Sequence, residues 1–351
     1  MRGRYAACAE RLTALDFNIP KSDQFCINRR GQRLHLRTVV PSTTSHRAIL
    51  FFFHGYGAHI NGPAIQELSA GLAQEGYVVV LLDSHGHGYS DGDRVLIMDF
   101  RDLVDDCMQV MEIILRGRED DGEMCFLGLD PCVRKSLMHM PFFLLGQSMG
   151  GALALLCALR LKGEKSMSGM TRNFVGVMTN CPAIVGNPPP KWVVMLLKHC
   201  LVPLLPAMQL PTFLEKVSVP DMIWTDEYQA QLAELDQVGL PGGLCWPGTM
   251  RIGTGAQLLD MLAYLQPRLR NIDFPFLVLH DPEDGIVKFE GTEMLQREAQ
   301  TPHHVLRGRE VKEMPAYKHD LLANAPEQVL SAYLDWANAR LSVRGKEICQ
   351  S

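Results

Sequence analysis

Between Pro141 and Gly163 the chain reads Phe142-Phe143-Leu144-Leu145-Gly146-Gln147-Ser148-Met149-Gly150-Gly151-Ala152-Leu153-Ala154-Leu155-Leu156. The apolar run is long enough for a strand buried on both faces, and the Ala- and Leu-rich run from Met149 is helical in composition. Gly-x-Ser-x-Gly at such a strand-to-helix junction is the pattern of a nucleophile elbow. The glycines leave room for a strained serine backbone, and Oγ is presented above the sheet at a helix N-terminus. Gly151 further permits close packing of the helix. The same pentapeptide without these flanks would read as a plain turn, so the context carries the assignment.

The remainder of the chain repeats the alternation. Gln24 to Val40 alternates around Arg29-Arg30-Gly31 and predicts a β-hairpin. Ala48-Ile49-Leu50-Phe51-Phe52-Phe53 is another doubly buried strand, and it runs into His54-Gly55-Tyr56-Gly57. Ile65, Leu68 and Leu72 share a helical face that stops at Gly76, and Tyr77 to Leu82 is a third buried strand. Asp99 can cap a helix through Leu103, Val110 and Ile114. Further strands are expected at 174–179, 276–280 and about 305–314, and Leu330, Leu334, Ala337 and Leu341 mark a closing helix. Strands alternating with helices imply a mostly parallel sheet with helices on both faces.

Two stretches break the pattern. From Pro182 to about Arg270 there are prolines, three of the four tryptophans and helical patterns without a buried-strand run. This stretch, 182–270, reads as a cap inserted into a core made of 1–181 and 271–351. Gly117 to Met140 is a second insertion, acidic at Glu119, Asp120, Asp121 and Glu123, and reads as a solvated loop. Trp192 to Leu214 is the most hydrophobic segment, but Lys198, His199, Pro203, Pro206 and Pro211 interrupt it. It is therefore no transmembrane helix, although it can touch lipid as a surface element.

Composition narrows the function classes. With 351 residues, 47% hydrophobic and 21% charged, the chain is ordinary globular protein with ample length for a large core. A net charge of −5 without a basic run argues against a nucleic-acid partner. The ten cysteines form no C-x-x-C pair, and Cys157, Cys181 and Cys200 sit in apolar runs, which fits reduced thiols in a cytoplasmic setting. Met1 to Pro20 has no apolar core of a signal peptide.

A serine nucleophile needs a histidine base, an acid to orient it and donors for an oxyanion. The backbone N–H of Met149 is one donor, and the loop His54-Gly55-Tyr56-Gly57 can supply the Tyr56 N–H as the second. His54 itself stands outside the chain order Ser, acid, His and reads as structural. After the strand at 276–280 comes Asp281-Pro282-Glu283-Asp284-Gly285. Asp284 is favoured as the acid, because the chain returns at Gly285-Ile286-Val287. Asp281, which also suits a turn before Pro282, is the rival. His319 follows the next strand and is the candidate base, whereas His303 and His304 precede that strand and read as surface residues. His85 and His87 in Asp83-Ser84-His85-Gly86-His87-Gly88 lie in a tight glycine loop rather than in a metal-ligand spacing. Neither a metal nor a cofactor is called for.

In combination these segments resemble the monoacylglycerol lipase and lysophospholipase-like branch of the α/β-hydrolases, which includes plant caffeoylshikimate esterases. The resemblance is carried by Phe52-Phe53-His54-Gly55-Tyr56-Gly57, Gly86-His87-Gly88-Tyr89-Ser90-Asp91-Gly92 after Asp83, and the stretch from Phe143 to Gly151. It continues through Arg251-Ile252-Gly253-Thr254 with Leu258-Leu259, Pro275 to His280 leading to Asp284, and Tyr317 with His319 before Pro326-Glu327. It spans about residues 22 to 340. The chain departs from the family at Asp281, where glycine is usual, and at Lys318, where an aromatic or His is commoner.

The resemblance implies an α/β-hydrolase fold, a Ser148, Asp284, His319 triad, and Tyr56 and Met149 as oxyanion donors. It also implies a helical cap over an apolar acyl tunnel that docks on membranes. Trp192, Val193, Leu196 and Leu197 are then the candidates for acyl and docking contacts. The expected activity is hydrolysis of a lipid ester through an acyl-enzyme, with monoacylglycerol ahead of lysophospholipid and of a phenolic ester of the caffeoylshikimate kind. A peptidase would need an acidic anchor for a substrate amine, for which the cap offers Glu215, Asp221, Asp226 and Glu227. A non-catalytic binding protein on the same fold would be expected to lack a triad member, and here every candidate member is present.

Overall fold

The computed structural model describes residues 21–42, 46–116, 135–138, 140–164, 168–211, 220–225, 236 and 243–350. The N-terminal 20 residues, the acidic run at 119–123 and the cap residues Glu215, Asp226 and Glu227 lie outside the described residues.

The predicted hairpin forms from β1 (Lys21–Ile27) and β2 (Arg33–Val39), paired antiparallel with Ile27 opposite Arg33. Its turn is set by Asn28, whose Oδ1 accepts N–H bonds from Arg30 and Gln32, and by Gly31 at φ 74°. Next come β3 (Ala48–Phe53), α1 (Pro63–Gln74), β4 (Tyr77–Leu82), α2 (Phe100–Arg116), β5 (Phe142–Gln147) and α3 (Met149–Gly163). Asp99 does stand at the start of α2, accepting the N–H of Arg101 at 2.9 Å. The core resumes through β6 (Phe174–Asn180), β7 (Phe276–His280) and β8 (Arg309–Glu313).

The eight strands form one sheet in the order β1-β2-β4-β3-β5-β6-β7-β8, antiparallel at β1 and β2 and parallel from β4 onward. Strand β8 is shorter than expected. Residues 303–308 are turns, with Val305 N–H bonded to Pro302 O and Gly308 N–H to Val305 O, so the ladder begins at Arg309. His303 and His304 lie exposed on those turns.

The continuous apolar runs have a simple cause: both faces of the sheet are covered. Ile49, Phe51 and Phe53 pack with residues of α2 and α3, whereas Ala48, Leu50 and Phe52 pack with Ile65, Leu68 and Leu72 of α1. The C-terminal helix Pro326–Gln350 closes the second face with Val329, Tyr333 and Trp336. This is an α/β-hydrolase fold, a mainly parallel sheet flanked by helices with a helical cap region between β6 and β7. Within that region α4 (Lys191–Leu196) leads to a π-helical turn at Leu197–Leu201, and α5 (Ile252–Leu265) runs back toward the core. Helix α5 serves two neighbours, since Met261 and Leu265 join the core cluster while Leu258, Leu259 and Leu262 face a cavity. Among the described residues no helix is long and apolar enough to cross a membrane.

Candidate active site

Ser148 caps α3 with φ 54° and ψ −116°. For a residue with a side chain this conformation costs about 1–3 kcal/mol and persists only where its surroundings impose it. They do so here through Ser148 N–H to Asn180 O at 2.9 Å and Ala183 N–H to Ser148 O, also at 2.9 Å. The glycines are obligatory because backbone fills the space a side chain would take. A Cβ on Gly146 would lie 2.1 Å from Gly150 O, and one on Gly150 would lie 1.9 Å from Phe53 O.

Geometry distinguishes the two candidate acids. Asp284 Oδ2 lies 2.7 Å from His319 Nδ1, while its Oδ1 accepts the N–H groups of Ile286 and Val287 at 2.7 and 3.0 Å. Asp281 instead accepts Glu283 N–H at 2.9 Å and Lys318 N–H at 2.6 Å, so it shapes the histidine loop without touching the ring. That loop is tightly wound, with Ala316 at φ 69° and Lys318 at φ 56°. Burial favours the neutral form of Asp284. Its bonds to His280 and His319 and the Val287 N–H outweigh that effect and hold the carboxyl well below the usual carboxylate range.

His280 was not anticipated from sequence. It ends β7 fully buried, with Nε2 at 3.3 Å from Asp284 Oδ2 and Nδ1 at 2.6 Å from Thr292 Oγ1. The signal was its place as the last residue of a buried strand, just ahead of the acidic turn. Cys181 is buried beside Asp284 and His319, with its thiol pushed up by burial and by Asp284. Cys157 is buried too, but Cys200, in the π-helical turn Leu197–Leu201, is exposed.

His54 is a structural group. Its Nδ1 is 2.7 Å from Gly55 O and its Nε2 accepts Ser84 N–H at 3.0 Å, and burial keeps the ring neutral. Beside it Asp83 binds His35 Nδ1 at 2.7 Å and the N–H groups of Ile60 and Tyr89. Burial pushes His87 down to about 3. His59 Nε2 meets Asp236 Oδ2 at 2.6 Å with Cys245 nearby, which has the composition of a cation site. His59 Nδ1, however, accepts Asn61 N–H at 3.2 Å, so Nε2 carries the proton and donates it to Asp236. The trio is a hydrogen-bonded staple between the Tyr56 loop and the cap.

Tyr56, Ser148 and Met149 share the wall of an apolar cavity of about 170 Å³ with Val194, Leu197 and residues of α5. Of the four cap residues expected at the acyl chain, Leu197 alone lines it. Trp192 and Leu196 are 70% and 50% exposed, and Val193 is buried away from it. Helical spacing explains the correction: Val194, Leu197 and Lys198 fall on one face, and Trp192, Met195 and Leu196 on the opposite one. Lys198, paired with Asp260, is the one charged residue among those described in the wall.

Comparison with known proteins gives the context for this arrangement. Over 331 residues the chain is 26% identical to monoglyceride lipase of Rattus norvegicus, covering 93% of this chain and 94% of the relative. It is 22% identical to caffeoylshikimate esterase of Arabidopsis thaliana, covering 90% and 85%. The crystal structure of a soluble variant of monoglyceride lipase from Saccharomyces cerevisiae, in complex with a substrate analog, superposes with a TM-score of 0.68 at 19% identity. That superposition covers 93% of this chain and 96% of the yeast chain. The family model Hydrolase_4, described as serine aminopeptidase, S33, matches residues 44–326. With most of its length inside that match, the chain belongs to the Hydrolase_4 (S33) family of α/β-hydrolases, as a relative of the monoacylglycerol-lipase-like esterases.

Proposed function

We propose that this protein hydrolyses carboxylic esters of lipids, monoacylglycerol first among them, through an acyl-enzyme formed on Ser148. The observation that carries the reading is the apolar cavity with Ser148 in its wall, taken together with the Asp284–His319 hydrogen bond. Asp284 engages Nδ1 and leaves Nε2 of His319 as the basic nitrogen. Nε2 takes the Ser148 proton, Oγ attacks the ester carbonyl, and the N–H groups of Tyr56 and Met149 receive the oxyanion. His319 then protonates the leaving glycerol oxygen and activates water for deacylation, while Asp284 holds its tautomer and steadies the imidazolium.

The cavity wall favours an aliphatic acyl chain, since each CH₂ buried contributes about 0.8 kcal/mol. Tyr56 is the one aromatic among the described lining residues, so a flat phenolic acid finds little to stack on. No carboxylate is among them to anchor a peptide amine. In this reading 182–270 is the cap on a core of 1–181 and 271–351. Offered an equimolar mixture of 2-monoacylglycerol, lysophosphatidylcholine, diacylglycerol and a caffeoyl ester, the enzyme is expected to release fatty acid mainly from the monoacylglycerol. Mass spectrometry of the released acids checks this, and a preference for the lysolipid or the caffeoyl ester would reassign the substrate.

The same reading gives the outer face of the cap a role. Trp192, Met195 and Leu196, on the side of α4 away from the cavity, and Leu204 and Leu205 beyond it are each at least half exposed apolar side chains. Trp192→Ser together with Leu204→Ser is expected to reduce binding to phosphatidylcholine vesicles while leaving turnover of a short soluble ester intact. Unchanged co-sedimentation would remove the membrane contact from the proposal.

A further inference from the structure

The carboxylate next in sequence to His319 has three partners from three parts of the fold. Asp320 Oδ1 accepts Gln147 Nε2–H at 2.8 Å, and Gln147 directly precedes Ser148. Asp320 Oδ2 accepts Trp224 Nε1–H at 3.1 Å, and Trp224 belongs to the cap. Oδ1 also accepts Ala323 N–H at 3.3 Å, capping the turn Leu321–Asn324.

Neighbouring contacts reinforce the same junction. Lys318 Nζ donates to Trp224 O at 2.8 Å, Asp320 N–H to Ile223 O at 3.2 Å, and Asn324 Nδ2 to both Ile223 O and Tyr317 O. Cap residues 223–225 are thus bonded to the loop that presents His319, and one side chain extends the connection to the serine elbow. Gln147 is only 8% exposed, so little water reaches its side chain in place of Asp320.

We propose that Asp320 is a positioning residue that sets the registry of Ser148 and His319 and makes it depend on the seating of the cap through Trp224. The proposal rests on the reading of Ser148 as nucleophile and His319 as base. A shift of one loop against the other by about 1 Å is enough to cost a hundredfold in turnover. Such a tether would let a lipid that seats the cap also align the reacting groups. Asparagine at this position offers one oxygen, so it cannot accept from both Gln147 and Trp224 through separate atoms.

The test uses the full chain, with kcat expressed per active site titrated by a fluorophosphonate, on a long-chain monoacylglycerol and on p-nitrophenyl acetate. Asp320→Ala is expected to lower kcat on both esters by about tenfold to a hundredfold, with KM for the short ester within about threefold. Trp224→Phe, which keeps the ring but removes the donor, is expected to lower kcat on the long-chain ester by about tenfold. The double variant Asp320→Ala, Trp224→Phe is expected to lose no more than Asp320→Ala alone, because Asp320→Ala already removes the Trp224 hydrogen bond.

Unchanged kcat per titrated site in all variants, with only Tm lowered, would reduce Asp320 to a structural cap and overturn the proposal. Fully additive losses would overturn the dependence on the cap. Should Asp320→Ala fail to fold, Gln147→Met and Trp224→Phe remove the donors one at a time and are judged by the same kcat readout. Failure of the fluorophosphonate to label wild-type Ser148 would sink the hydrolase reading and this proposal with it, whereas equal labelling rates in wild type and every variant would sink this proposal alone.

Discussion

Ser148→Ala is expected to lower kcat for ester hydrolysis by about a millionfold, leaving at most the residual acceleration that binding and the oxyanion donors supply. The expectation follows from where the serine stands. Its backbone is held at φ 54° by Asn180 and Ala183, and its Oγ has no substitute nucleophile in the cavity wall, where Ser148 is the only described serine or cysteine. Alanine fits the same backbone without adding an atom, so Tm should stay near wild type, and loss of activity would report chemistry rather than folding. Steady-state release of fatty acid and fluorophosphonate labelling check the two halves. Activity within tenfold of wild type would mean that the elbow is not the reaction centre.

The second large effect concerns the acid. Asp284→Asn is expected to lower kcat by about 10⁴-fold, because an amide at this place can present an N–H to His319 Nδ1 and impose the wrong tautomer. Asp281→Asn is expected to cost about 1–3 kcal/mol of stability through its bonds to Glu283 and Lys318, with kcat per folded site little changed. The opposite ranking would give the acid's role to Asp281.

The direction of the Asp284 shift adds a pH test. A carboxylate with a depressed native pKa is ionised above the unfolded value near 3.9, and the stability it contributes is lost only as pH falls below that value toward the native one. From neutral pH down to that value Asp284 therefore stays ionised and should add no step of its own to log kcat/KM. A step that disappears in Asp284→Asn would show this carboxylate taking up a proton in that range.

The sheet and the elbow were legible because their physics is local. A strand buried on both faces needs an unbroken apolar run, as in 48–53, 77–82, 142–145 and 276–280, and a strained serine between close-packed backbones needs glycine at 146 and 150. The elbow, the chain order and the family resemblance brought Ser148, Asp284 and His319 into consideration, and they favoured Asp284 while leaving Asp281 as a rival on the same turn. The start of β8 was misjudged because Arg307 at φ 52° and Gly308 wind the chain into a turn, and apolarity does not signal that.

What the sequence by itself determined is therefore the layered parallel sheet, the strand-to-helix elbow and the helical insertion between β6 and β7, each written in residues adjacent along the chain. Only the tertiary structure decided that Asp284 rather than Asp281 meets His319, that His280 shares that carboxylate, that Leu197 rather than Trp192 faces the cavity, and that Asp320 joins the elbow to the cap. Apart from His280 and Asp284, which are four residues apart, the hydrogen bonds among these join segments tens to more than a hundred residues apart in sequence. Residue type and spacing constrain which side chains can share an element or a face. They leave undetermined which of several equivalent polar groups the packing of distant elements brings within hydrogen-bonding distance.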